Sequence, residues 1–234
     1  MPFWMDGAAV AVAALLPTVV TVVYFLGLAA SATWVQQTAW ALGKSVQFGF
    51  PLFWVLVVQR ARWRGDAPWL RGVGAGAVSG VLILAGMLAA YHLWLGPAGA
   101  FDGPAVAMRA KLVGMGLDSP ARFIAFAVFL SVVHSWLEEY YFRWFLFGQM
   151  RQLMPTGLAM GLSSGAFASH HIFVLAVYFG WTSPLTWFFV AGVAVGGAIW
   201  AWLYERTGSL LGPWLSHLLA DVGILLVGYR LLMG

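Results

Sequence analysis

Seven long apolar runs dominate this chain of 234 residues. A helix needs about 20 mainly apolar residues to cross the hydrocarbon core of a bilayer. Runs of that kind occupy 8–31, 36–59, 72–95, 121–148, 156–179, 184–204 and 209–232. Hydrocarbon offers no water to satisfy peptide groups, so each run must close its hydrogen bonds within itself, as a helix does. The expected fold is therefore all-α, a polytopic membrane helix bundle of about seven transmembrane helices. Composition agrees: 62% of residues are hydrophobic and 9% charged, against roughly 25% charged in soluble domains. Fourteen tryptophans and seven tyrosines suit aromatic belts at the two membrane interfaces.

The formal charge of +4 does not point to nucleic acid, because the basic residues form no patch. Arg60, Arg62, Arg64 and Arg71 share one short connector, the pattern of a positive-inside loop. Placing that loop in the cytoplasm puts Arg151 and Arg206 inside as well, with Arg109, Lys111, Arg122 and Arg230 outside. The amino terminus is then cytoplasmic. No basic segment precedes the first apolar run, which is long enough to span and is read as a retained helix. Ten arginines against two lysines fit a GC-rich coding sequence, hence a bacterial inner membrane. Cysteine is absent, which removes disulfides, a thiolate nucleophile and Cys-based metal sites.

No linker or repeat divides the chain, so residues 1–234 are expected to form a single transmembrane domain. The long connector 96–120 holds three of the ten prolines and is expected to include a short interfacial helix. Gly157, Gly161 and Gly165 repeat every four residues, as do Gly192 and Gly196. Such stripes predict close helix–helix packing.

The fourth run is the one that should not exist on hydropathy alone. "SWLEEYYFRWFLF" carries Glu138, Glu139 and Arg143, and each charge at mid-membrane costs roughly 2.5–3.5 kcal/mol. A helix so loaded must face protein or a wet cavity. Glu139 and Arg143 stand i,i+4 in the favourable ion-pair order, while Glu138 points about 100° away and is left for another task. His134 lies one turn before Glu138. Two later helices carry matching polar groups, His170 and His171 in "GAFASHHIF", and His217 with Asp221 in "PWLSHLLADVG". At the helical rise, Glu138 lies about 15 Å, His171 about 22 Å and His217 about 12 Å from the cytoplasmic ends of their helices, depths compatible with one cavity. A carboxylate and a histidine converging on a water form a general base, and a second histidine can donate to the oxyanion formed on an amide.

Three motifs in these helices carry a resemblance. EExxxR is Glu138, Glu139 and Arg143; FxxxH is Phe167 to His171; His followed four residues later by Asn or Asp is His217 to Asp221. In that order they resemble the CPBP (Abi) family of CAAX prenyl endopeptidases and bacteriocin-processing or immunity proteins. The resemblance covers about 121–232, the catalytic core; residues 1–120 add further transmembrane helices and the interfacial loop. It implies a glutamate-type, metal-independent intramembrane endopeptidase with no cofactor. Glu138 and His171 would activate water, His217 and Asp221 would form the oxyanion site, and Glu139 with Arg143 would brace the helix. An ionised Asp221 cannot donate to an oxyanion, so its expected part is to orient His217. The implied partners are the bilayer and a membrane-anchored protein or peptide, cut during maturation, sorting or removal of a tail or leader.

Other chemistries compete. Glu138, His171, His217 and Asp221 could ligate zinc, but no HExxH or similar spacing is present. "GLSSG" spells G-x-S-x-G around Ser163, yet that motif works from a strand–turn–helix elbow and here lies inside an apolar helix. Buried Glu, His and Asp also build proton relays in transporters, and an immunity protein could act by binding alone.

Overall fold

The computed structural model describes residues 3–60 and 70–233. Arg62 and Arg64 of the basic connector lie outside the described residues. The described chain is helical with no strand. It comprises α1 (Phe3–Val22, continued by a π-turn over Val23–Gly27), α2 (Thr33–Phe53, then a π-turn over Trp54–Val58) and α3 (Val73–Ala90, then a π-turn over Tyr91–Leu95). These are followed by α4 (Asp102–Gly114), α5 (Pro120–Leu153), α6 (Thr156–Phe179), α7 (Pro184–Thr207) and α8 (Leu211–Met233). All but α4 are long and apolar enough to cross a membrane, so the chain is a multi-pass membrane protein. The expected runs match these helices to within a few residues, and α5 is the exception, reaching 34 residues. That is about 50 Å of helix, well beyond the hydrocarbon thickness of about 30 Å.

Local sequence explains the boundaries. Ser119 and Ser183 cap α5 and α7, each with proline as the first helical residue. There the fixed φ helps and the missing N–H costs nothing. Gly208 ends α7 in the left-handed conformation, which a side chain would oppose. Inside α1, Pro17 leaves the carbonyl of Ala13 without its helical donor, and the Tyr141 hydroxyl of α5 donates to that oxygen at 2.8 Å.

The core is centred on the second half of α5. Tyr141, Phe142, Phe145, Leu146 and Phe147 are all buried, packed with Phe167 of α6, Trp200 and Leu203 of α7, and Val10 and Ala13 of α1. The opposite surfaces of the outer helices expose Leu15, Leu42, Leu82 and Leu158, as lipid-facing surface does. One end of the bundle is tied by Gln59, which donates to Gln149 at 3.0 Å and to Asp6 at 3.3 Å, and by the Arg151–Glu205 pair. The expected short helix in the 96–120 connector is α4, and it caps the other end. Lys111 donates to Gln36 at 2.9 Å and Arg109 to the Leu231 carbonyl at 3.2 Å.

The glycine stripes do not act as expected. Gly157, Gly161, Gly165 and Gly192 have nothing within 4 Å of where a Cβ would sit, because α6 buries its Ser163–Ser164–Phe167 face instead. Close packing occurs between α3 and α8. A Cβ on Gly76 would strike the Gly212 carbonyl, and one on Gly80 would lie 2.9 Å from Ser216 Cα.

Candidate active site

α5 supplies the two glutamates at its most irregular point. A five-residue α-helical stretch, Ser135–Glu139, lies between π-helical turns over Phe129–His134 and Tyr140–Phe147. Such widened turns are frequent at functional sites. Glu139 is fully buried and its Oε1 lies 3.2 Å from Arg143 Nη1, so the ion pair anticipated from the i,i+4 spacing forms. Arg143 also donates to the Gly197 carbonyl at 3.4 Å. Its guanidinium lies 4.6 Å from the ring centre of Phe167 and 5.0 Å from that of Trp200. Aromatic faces and one carboxylate thus offset the desolvation of this cation.

The same Glu139 oxygen has a second partner. His217 Nδ1 approaches it at 2.7 Å, a contact that no spacing in the sequence announces. With Nδ1–H donated to Glu139, His217 Nε2 is the ring atom turned towards the remaining carboxylates. It lies 3.7 Å from Glu138 Oε2 and 3.7 Å from Asp221 Oδ1. Asp221 faces His217 but is not its hydrogen-bond partner; Glu139 orients the ring.

Glu138 is buried among three histidines. His134 Nε2 is 3.2 Å from its Oε1, His170 Nε2 3.8 Å from the same oxygen, and His217 Nε2 3.7 Å from the other. His171 is not within ion-pair distance of it. Its Nδ1 is held 3.0 Å from the Phe167 carbonyl, and its ring centre lies 4.1 Å from that of His170. Both histidines therefore line one wall, with His170 the nearer to Glu138 and its Nδ1 buried without a hydrogen-bond partner. From α2, Phe48 packs edge-on against His134. Lys44 lies over Trp40 and Phe48, at 4.9 and 5.4 Å from the ring centres, within electrostatic reach of Glu138.

The separations of 3.7–3.8 Å are too long for direct hydrogen bonds and too short for a water to lie between the groups, so the imidazoles and carboxyls converge without bonding one another directly. The arrangement thus sets a buried carboxylate beside imidazole nitrogens with hydrogen-bonding capacity to spare, the kind of groups that activate a water when one enters. Ser163 sits within the unbroken α6, its hydroxyl donating to the Met160 carbonyl at 3.1 Å, so no nucleophile elbow exists there. Among the described residues no group of three or more His, Cys, Asp or Glu side chains has metal-holding geometry.

Sequence reasoning did not single out Trp200 or Ser216. The Trp200 indole stacks on His217, centroids 4.0 Å apart and planes at 14°, and its N–H donates to Ser216 Oγ at 3.0 Å. An aromatic and a serine in apolar helices carry no signal of their own, since only the approach of α7 to α8 gives them a task.

No curated protein and no solved structure gives a significant match to this chain. Residues 120–223 match the family model described as Type II CAAX prenyl endopeptidase Rce1-like. That range takes in α5, α6, α7 and α8 through Gly223, the helices that bring the glutamates, histidines and Trp200 together. These four helices are thus similar to a domain of the type II CAAX prenyl endopeptidases.

Proposed function

We propose that this protein is an intramembrane endopeptidase of the glutamic type, cutting a membrane-anchored protein or peptide with water activated at Glu138. Glu138 takes a proton from a water held against the His170–His171 wall. The resulting hydroxide attacks the scissile carbonyl, and the C–N bond breaks as Glu138 returns the proton to the leaving amine. His217, carrying a proton on each ring nitrogen, donates its Nε2–H to the charge developing on the carbonyl oxygen, with Asp221 beside it. Arg143 and Glu139 hold the helix and the His217 ring. The reaction as written uses only these side chains and water. The observation that carries the reading is the convergence of the buried Glu138 with His170 and His217, and of His217 with Asp221, at 3.7–3.8 Å. A bacterial inner membrane with a cytoplasmic amino terminus is the setting this reading takes, and the substrate is a protein losing a tail or leader during maturation or sorting.

The test compares membrane-anchored proteins from cells carrying wild type, Glu138→Ala, His170→Ala or His171→Ala at matched expression. A particular tail left uncleaved by Glu138→Ala supports the reading, and the two histidine variants then divide the wall between them. Processing identical to wild type in every variant, together with a lost protective or transport phenotype, would transfer the buried charges to immunity or proton transfer.

A further inference from the structure

α3 lies wholly outside the family match, yet it reaches the site. Ser79 of α3 donates to Ser216 Oγ at 3.0 Å and approaches the Gly76 carbonyl at 3.1 Å. Ser216 is fully buried, directly precedes His217, and accepts the Trp200 indole N–H at 3.0 Å. Trp200 in turn lies flat against His217. The chain of contacts therefore runs from α3 through α8 and α7 to one imidazole. It exists because Gly76, Gly80 and Gly212 let the two backbones approach closely enough for short serine side chains to meet.

The hydrogen bond to Glu139 holds one atom of the His217 ring and leaves the ring free to rock about it. A flat aromatic neighbour removes that freedom only if the neighbour is itself fixed. Trp200 has one polar atom, and Ser216 holds it; Ser79 fixes the Ser216 hydroxyl. We propose that α3 is a positioning element of the active site. Through Ser79, Ser216 and Trp200 it sets the plane of His217, keeping Nδ1 on Glu139 and Nε2 between Glu138 and Asp221. The proposal rests on the reading that His217 serves the reaction. Positioning of this kind matters because a displacement of about 1 Å at a reacting group can cost about a hundredfold in rate.

The test uses the full chain in detergent micelles with isotope-labelled histidine, the His217 signals being assigned by their loss in His217→Gln. The face of an indole shields protons above it, so the His217 carbon-bound protons should resonate upfield in wild type and move downfield in Trp200→Leu. Ser79→Ala, a mild change unlike the loss of a core tryptophan, should broaden or split the His217 signals. It should slow cleavage of the tail found in the variant comparison above by about threefold to tenfold, the loss of one ordinary hydrogen bond. Ser79→Thr, which keeps the hydroxyl, should restore both. If Ser79→Ala leaves His217 signals and cleavage at wild-type level while His217→Gln is inactive, α3 only packs against α8 and the proposal alone is overturned. If His217→Gln cleaves as wild type does, the site reading falls and takes the proposal with it.

Discussion

Arg143 is 2% exposed, and among the described residues its charge is met by Glu139, the Gly197 carbonyl and the faces of Phe142, Phe167 and Trp200. Removing one member of a buried pair strands the other, at a cost of about 3–5 kcal/mol. Arg143→Ala should therefore unfold at markedly lower denaturant, as followed by tryptophan fluorescence in micelles. The double variant Arg143→Met with Glu139→Leu should recover much of that loss, since an apolar pair of similar volume needs no desolvation. Recovery of stability without recovery of cleavage would separate the structural part of the pair from its part in holding His217. The Glu139–Arg143 contact could be read from sequence, because four residues on one helix fix which side chains meet. Its third member could not, because Glu139 and His217 lie 78 positions apart and only packing of α8 against α5 brings them together. The same limit applies to the two neighbouring histidines. Spacing to Phe167 singles out His171, yet helix rotation within the bundle sets His170 closer to Glu138.

At the level of the helix, glycine spacing and glycine use diverge. A small-residue stripe permits close approach only where another helix lies on that face. On α6 the stripe has open surroundings, whereas Gly76 and Gly80 of α3 meet the backbone of α8. Gly76→Ala should cost about 1–3 kcal/mol, as overpacked sites do. Gly161→Ala should change stability by no more than about 0.5 kcal/mol. Paired thermal melts of the two variants check this, and equal losses would contradict the packing described for α3 and α8. α5 shows the reverse relation between sequence and element. Its charges foretold a helix buried among others, and it is indeed the centre of the core, but its π-turns on either side of Ser135–Glu139 have no local sequence signature.

For the whole molecule, the family match to 120–223 is narrower than the unit that packs together. Tyr141 bonds to α1, Tyr140 donates to the Phe48 carbonyl of α2 at 3.2 Å, and Ser216 meets Ser79 of α3. A fragment of residues 120–233 should therefore insert yet lack a cooperative unfolding transition, and coexpression with 1–119 should restore it. A sharp transition for the fragment alone would show that the first three helices are accessory to the fold.

The sequence alone settled the class and the helices. Hydrocarbon leaves a long apolar run no other way to bond its backbone, and charge within such a run demands a protein-lined interior. It also marked the side chains to which the proposed chemistry is given, since charged and imidazole groups at mid-membrane are costly. What only the tertiary structure decided is how those groups share partners: Glu139 between Arg143 and His217, His170 beside Glu138, and Trp200 on the His217 ring. Those relations depend on the rotation and depth of each helix against its neighbours. Rotation and depth are set by packing over distant residues, which no local spacing encodes.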